Sequence, residues 1–96
     1  MIRMDSYISR NSKTAWQIID EKTLIVTPTT STLHVLNRTG TRVWELLEKR
    51  AKVEEIVDKI YSEFEVKEER AKKGIFRFIK ELSDKGVIIV ENSSNG

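Results

Sequence analysis

The chain has 96 residues, of which 39% are hydrophobic and 33% charged, and its formal net charge is +2. This size fits one domain, and this composition is typical of a folded globular protein and not of a disordered or membrane-spanning one. The chain contains no cysteine, which excludes disulfides, thiolate metal sites and cysteine nucleophiles. No apolar run approaches the ~20 residues of a membrane span, and the polar N-terminal segment lacks the hydrophobic core of a secretion signal. We therefore expect a cytoplasmic protein, and the small net charge does not by itself indicate a nucleic-acid partner.

The N-terminal segment shows no clear hydrophobic period, and Asn11 and Ser12 favour a loop. We predict a loop or arm over residues 1–13, a folded domain over residues 14–90 and a polar tail over residues 91–96. The apolar side chains of the arm are expected to pack onto the body of the domain or onto a second copy. These side chains are Ile2, Met4, Tyr7 and Ile8.

Three short β-type runs follow, at Ala15–Ile19, Thr23–Thr27 and Thr32–Leu36. Polar turns separate them, and Pro28 ends the second run because proline has no N–H group to donate to a sheet. Short apolar runs joined by tight polar turns predict a three-stranded antiparallel meander. Because side chains alternate along a strand, the two faces of the third run carry Leu33 and Val35 on one side and Thr32, His34 and Leu36 on the other.

Three helices are predicted after the meander. The first covers about residues 39–49, and Asn37 or Thr39 is expected to cap it by accepting from free backbone N–H groups. The second begins near Val53, and the third covers about residues 67–85. The second helix has apolar residues at i, i+3, i+4, i+7, i+8 and i+11, namely Val53, Ile56, Val57, Ile60, Tyr61 and Phe64.

The chain then closes on one more strand. Gly86 ends the third helix in the usual C-terminal position, and Val87–Val90 is a short β-type run. These elements predict an α+β fold that is winged-helix-like, with a three-stranded antiparallel N-terminal sheet followed by three helices and a short C-terminal strand.

Catalytic chemistry has little support in the sequence. His34 is the only histidine, so it forms no metal site alone, and it is either a partly exposed strand residue or a binding contact. No serine or threonine has an evident base partner, and no glycine-rich phosphate loop is present. We expect no enzymatic activity, no metal and no cofactor.

Charge is distributed unevenly along the helical half. Residues 43–66 contain seven acids and four bases, a net of −3, whereas residues 67–80 contain six bases and two acids, a net of +4. The faces of the third helix that its apolar stripe leaves free are therefore basic. They form either a solvated, salt-bridged surface or a binding surface for an acidic partner. Electrostatic attraction of that kind raises the association rate more than the affinity.

Two kinds of partner fit a basic third helix. A winged-helix DNA-binding regulator reads the major groove with that helix. A peptide-binding module instead adds an extended peptide to an exposed strand edge. The short final run followed by Glu91 leaves little of the basic wing that such DNA readers carry, and the meander has no use in a minimal DNA reader. The same exposed edge can pair with itself, so a homodimer is also compatible with the sequence.

The segment Leu36–Gly40, which reads LNRTG, and Trp44 downstream are the most specific features of the chain. Together with EEI in the second helix and the pattern F-I-x-E-L-x-x-x-G ending at Gly86, they give a sequence that resembles the PqqD-like family, also called RiPP recognition elements. The resemblance covers about residues 14–90. One departure is Gly74, where the family often has aspartate; another is Glu48–Arg50, near where it often has Asp-Gly.

The resemblance implies a small domain that binds the leader of a ribosomally made precursor peptide and presents it to a modifying enzyme, often a radical S-adenosylmethionine protein. It also implies that the leader adds as an antiparallel strand to the third strand and lies against the third helix. Phe78 is a core candidate as well as a contact, and the basic helix residues suit an acidic leader. The contacts implied are Thr32, Leu33, His34, Val35 and Leu36 of the strand and Arg70, Lys73, Gly74, Arg77 and Phe78 of the helix.

Overall fold

A computed structural model describes residues 2–28 and 30–92 of the chain. In chain order the elements are β1 (Tyr7–Arg10), β2 (Ala15–Ile19), β3 (Lys22–Thr27), β4 (Thr32–Leu36), α1 (Arg38–Leu46), β5 (Ala51–Lys52), α2 (Val53–Glu63), α3 (Glu68–Asp84) and β6 (Ile88–Glu91). The predicted winged-helix-like α+β fold, with its meander, three helices and short C-terminal strand, is confirmed. Residues 93–96 of the predicted polar tail lie outside the described residues. No helix in the described part of the chain is long and apolar enough to cross a membrane.

The meander sheet has the order β2-β3-β4 and is antiparallel throughout. Asp20 and Glu21 join β2 to β3 with φ angles of 49° and 64°. Two consecutive residues with positive φ are the signature of the type I′ hairpin turn, whose twist matches that of the flanking strands. This turn sets the register between β2 and β3, in which Ile19 pairs with Lys22. Across β3 and β4, Val26 pairs with Leu33 and Leu24 with Val35.

The closing sheet has the order β5-β1-β6 and joins the two ends of the chain. Its central strand β1 lies within residues 1–13, so the prediction of a loop over that whole segment needs correction at Tyr7–Arg10. Ile8 pairs with Ala51 and Val90 and is fully buried. Because four residues alternate too briefly to give a local period, β1 is specified by distant partners and not by its own pattern.

The core lies between the two sheets and the three helices, with Trp44 of α1 fully buried at its centre. The Arg10 guanidinium lies 4.7 Å from the Trp44 ring centroid and 4.6 Å from that of Trp16, and Arg10 Nε donates to the Trp44 carbonyl oxygen at 3.1 Å. A buried hydrogen bond of 2.8 Å from Thr23 Oγ1 to Thr41 Oγ1 connects β3 to α1. The inner face of the meander sheet thus packs against the helices.

The helix ends follow the predicted signals to within a few residues. The Asn37 side chain caps α1, since its Oδ1 accepts from the Gly40 backbone N–H at 2.9 Å. At the other end of the helical region, Gly86 has a φ of 76°, which is the left-handed conformation that ends α3. The first cap fixes the direction in which the chain leaves β4 and enters α1.

Candidate functional site

The outer edge of β4 has no strand partner among residues 2–28 and 30–92, because β4 is the terminal strand of the meander sheet. Backbone N–H and C=O groups on that side are open to pairing. Edge strands are usually protected by charges, proline or a bulge, and Thr32–Leu36 contains no Asp, Glu, Lys, Arg or Pro. The edge is therefore a suitable template for a further strand.

A groove of about 380 Å³ runs between β4 and α3. Buried Leu82 and half-buried Phe78 give it an apolar floor. Its lining residues are Leu33, His34, Val35, Leu36, Asn37, Phe78, Glu81, Leu82 and Lys85. A strand added to β4 would place one row of its side chains over this floor.

A second cavity of about 280 Å³ shares Asn37 and Phe78 with the groove and continues it toward α2. Its other lining residues are Thr39, Gly40, Val43, Ile60, Phe64, Val66, Arg70, Ala71, Gly74 and Ile75. A Cβ atom on Gly40 would lie 3.0 Å from two atoms of the Phe78 ring, so glycine permits the close approach of α1 to that ring. A Cβ atom on Gly74 would meet nothing within 4 Å, so the cavity wall is open at that position.

The structure brings together most of the predicted strand and part of the predicted helix. Leu33–Leu36 and Phe78 line the groove, and Arg70, Gly74 and Phe78 line the adjoining cavity. Exposed Thr32 opens β4 and lines neither space, and the same holds for exposed Lys73 of α3. Arg77 lines a different cavity with Ile2, Phe76, Lys80, Ser83, Asp84, Val90 and Asn92.

His34 is half-buried on the groove side of β4. Its Nε2 atom is covered by other protein atoms and has no hydrogen-bond partner within the described residues. A ligand would reach this nitrogen only after the imidazole ring rotates. The geometry therefore gives His34 a packing surface toward the groove and not a preformed polar contact.

Several groove residues were missed by the sequence reasoning. Glu81, Leu82 and Lys85 lie three, four and seven residues after Phe78, which places all four on one face of α3. That spacing was a usable signal. Phe64 belongs to the predicted apolar series of α2, but that spacing does not show that it lines the cavity, because its place there depends on how α2 packs against α3.

The cations near the site are not engaged in ion pairs. Arg70, Lys73 and Arg77 are exposed, and none has a carboxylate partner within 4.0 Å in the part of the chain that the structure describes. The ion pair seen on α3 is instead Lys80 with Asp84, at 3.5 Å. The positive charge of this helix is therefore available to an incoming anionic group.

Comparisons with known proteins agree with this geometry. The chain resembles the structure described as "TbiB1 in Complex with the TbiA(beta) Leader Peptide", with a TM-score of 0.78 and 26% identity over 91% of this chain and 99% of that chain. It also resembles "Lasso peptide synthetase B1 complexed with the leader peptide", with a TM-score of 0.70 and 15% identity over 85% of this chain and 96% of that chain, a likeness that shows the fold alone. No curated protein has a significant sequence match to the chain.

A family profile described as "Coenzyme PQQ synthesis protein D (PqqD)" matches residues 22–88, which are most of the chain. The match begins at β3 and ends within β6, so it contains β4, the groove and all three helices. The resemblance seen in the sequence is confirmed, and the chain belongs to the PqqD family.

Proposed function

We propose that this protein binds the leader of a ribosomally made precursor peptide as an additional antiparallel strand on β4 and presents it to a modifying enzyme. It acts in the cytoplasm, where such precursors are made, and it does not catalyse the modification itself. The observation that carries the proposal is the open edge of β4 directly beside a groove that Phe78 and Leu82 line from α3. Strand addition draws affinity from backbone hydrogen bonds and specificity from side-chain pockets, and this site offers both.

The leader that suits this site is acidic. Arg70, Lys73 and Arg77 carry free positive charge along α3, and Lys85 adds another beside Glu81 in the groove. Exposed cations of this kind accelerate the encounter with an anionic peptide. Salt at 0.1–0.15 M screens their attraction at separations beyond about 8–10 Å. Raising the ionic strength should therefore slow association more than it speeds dissociation.

The DNA-binding alternative is not favoured. The strand that would form a basic wing, β6, is paired with β1 in the closing sheet and ends at Glu91. The relative at 26% identity holds a leader peptide, as its description states. A duplex reader would bind with an affinity that falls steeply with salt, which gives a simple control for the peptide measurements.

The proposal is tested by calorimetric titration of the protein with the N-terminal halves of the small open reading frames encoded beside its gene. We expect one acidic segment to bind with micromolar or tighter affinity. Hydrogen exchange should then show new protection at alternate backbone amides of Thr32–Leu36, since an added strand pairs with every second residue of its neighbour. A segment that binds while leaving these amides unprotected would contradict strand addition.

A pair of proline variants separates lost binding from lost folding. Successive N–H groups of a strand point to opposite edges, so of His34→Pro and Val35→Pro one deletes a donor on the open edge and the other a hydrogen bond to β3. The variant that lacks the open-edge donor should keep the thermal unfolding temperature of the wild type and lose most of its peptide affinity. Proline is tolerated where a strand edge faces solvent. The variant that lacks the hydrogen bond to β3 should be less stable than the wild type. Full affinity in both variants would rule out this mode of binding.

A further inference from the structure

On the side away from the core, the outer face of the meander sheet exposes several apolar side chains together with the polar Gln17 and Lys22. The strand register aligns two rows across it, Ala15–Val26–Leu33 and Gln17–Leu24–Val35. Neither row contains a charged residue. Leu33 and Val35 end the rows at the open edge of β4 and are each 57% exposed, more than any other large hydrophobic side chain among the described residues. The most exposed apolar groups thus lie next to the proposed peptide.

We infer that Leu33 and Val35 determine leader specificity by pairing with two outward-facing apolar side chains of the bound leader, two residues apart. This inference rests on the proposed function and specifies its substrate: the leader segment is a two-faced strand. Its outward positions are apolar, preferably β-branched or aromatic, while the intervening positions face the groove that Phe78, Leu82 and Lys85 line from the α3 side. An added strand extends each row by one residue, and directly opposite side chains have Cβ atoms only about 4.5–5.5 Å apart.

The size of the face supports a peptide as its occupant. Three strands about 4.8 Å apart and five residues long cover roughly 14 by 17 Å, or about 240 Å². A stable protein–protein interface buries about 800 Å² per partner, so a second copy stacked on this face alone would be held weakly. A single strand needs only the edge of the face, and it gains cross-strand contacts there at the same time as the backbone hydrogen bonds.

The inference adds a constraint that the groove alone does not impose. A peptide that satisfies the backbone edge and the α3 cations can carry any residue on its outward side if that side faces only water. Beside Leu33 and Val35, however, a charged outward residue would lose part of its hydration without gaining a partner. An apolar outward residue would instead bury Leu33 and Val35 further. A leader that is shifted by one residue, so that charged residues take the outward positions, should therefore bind with lower affinity.

The test uses a display library of random twelve-residue peptides selected against the whole protein. Enriched peptides should share apolar residues two positions apart and carry a net negative charge. Representative peptides are then titrated against the wild type, Leu33→Thr, Val35→Thr and the double variant. We expect a loss of affinity of roughly 1.5- to 5-fold for each single variant and roughly 3- to 20-fold for the double variant.

Val26→Thr is the matched control. Val26 lies on the same face and is 38% exposed, but β4 separates it from an added strand by a second strand spacing. The affinity of Val26→Thr for the selected peptides should equal that of the wild type within experimental error. Replacing the outward peptide residue by serine should weaken binding to the wild type more than it weakens binding to Val35→Thr. The difference between these two losses is the coupling energy of the proposed pair.

The outcomes separate the inference from the proposed function. A library that yields no binders, or binders that leave the β4 amides unprotected, would overturn the proposed function and the inference with it. Binders that protect β4 but lack the two-residue pattern, and that bind the double variant as well as the wild type, would overturn the inference alone. The inference would also fall if the wild type sedimented as a dimer that the double variant dissociates, since a second copy would then occupy Leu33 and Val35.

Discussion

Both sheets of this protein have three strands, but they differ in the apolar surface that they expose. In the closing sheet, Ile8 and Ile88 are buried within the core. In the meander sheet, the inner face is buried at Ile25, whereas the outer face leaves Leu33 and Val35 exposed beside an unpaired edge. The difference shows that apolar side chains in strands carry two kinds of information. In the closing sheet Ile8 and Ile88 complete the core, whereas Leu33 and Val35 of the meander sheet lie exposed beside the edge that we propose for recognition.

The sheets also differ in how the chain assembles them. The meander sheet is made from one continuous segment, residues 15–36, with short turns. The closing sheet joins strands from the beginning, middle and end of the chain, so it forms only when the helices have brought those strands together. Damage to the closing sheet should therefore affect the whole domain, whereas damage to the outer face of the meander sheet should remain local.

The largest expected effect is the destabilisation caused by Ile8→Ala, compared with Val26→Ala. Truncating a fully buried isoleucine costs about 2–5 kcal/mol of unfolding free energy, because it leaves a cavity as well as losing burial. Val26 is already 38% exposed, and its truncation should cost less than about 1 kcal/mol. Urea unfolding at equal slopes measures both changes through the midpoint. Similar losses in the two variants would contradict the division of roles between the sheets.

How far the sequence predicted the molecule follows the same division. The meander and the three helices were predictable because their signals are local: two-residue alternation, helical spacing, Asn37 as a cap and Gly86 as a stop. Strand β1 was not, because its partners are more than 40 residues away and its own four residues alternate too briefly. A loop was the best reading of that segment from local information alone.

The candidate site was predictable to a similar degree. The edge strand follows from its place at the end of the meander, and Phe78 and Gly74 came from the family resemblance. Arg77 shows what spacing alone leaves undecided: it lies on the basic side of α3, yet it lines a cavity shared with Ile2 and Lys80 and not the groove. Which flank of a helix faces a sheet depends on how that helix is rotated in the packed domain, and composition does not fix that rotation.

An intermediate effect is expected from alanine at the two glycines that line the cavity. Gly74→Ala should stabilise the protein by about 0.5–1 kcal/mol, because alanine is the better helix former and its methyl group meets nothing within 4 Å. Gly40→Ala gains the same propensity but forces the Phe78 ring to move, and a strained contact of this kind costs about 1–3 kcal/mol. Its net effect should be destabilising. Thermal unfolding of the two variants beside the wild type measures both signs.

The same pair sharpens the comparison of core with recognition surface. If the Phe78 ring moves toward the groove in Gly40→Ala, peptide affinity should fall together with stability, whereas Gly74→Ala should separate the two by raising stability alone. A Gly74→Ala variant that is more stable but binds peptide more weakly would show that a leader side chain occupies the space beside that glycine. Equal stability of the two variants would contradict the close contact of α1 with Phe78.

The smallest expected effect concerns the ion pair that connects α1, which continues from β4, to α2. Arg42 Nε donates to Glu63 Oε1 at 2.7 Å and Arg42 Nη2 donates to Glu63 Oε2 at 3.0 Å. This hydrogen bonding lowers the pKa of the Glu63 carboxyl. A carboxyl whose pKa is lower in the folded state than in the unfolded state, where it is about 4.3, stabilises the fold at higher pH. The contribution is lost as pH falls through the folded-state pKa.

Glu63→Gln should therefore reduce the unfolding free energy at pH 7 by no more than about 1 kcal/mol, since both side chains are about one-third exposed and solvent screens the pair. The difference from the wild type should shrink as pH falls below about 4.3 and through the lower folded-state pKa of Glu63, and it should also shrink in high salt. Glu65→Gln is the control, because Glu65 is exposed and has no ion pair within the described residues. Urea unfolding across this pH range measures the difference for each variant. A Glu63→Gln loss that shrinks neither with falling pH nor with added salt would mean that packing at the α1–α2 contact, and not charge, holds the helix that follows the recognition strand.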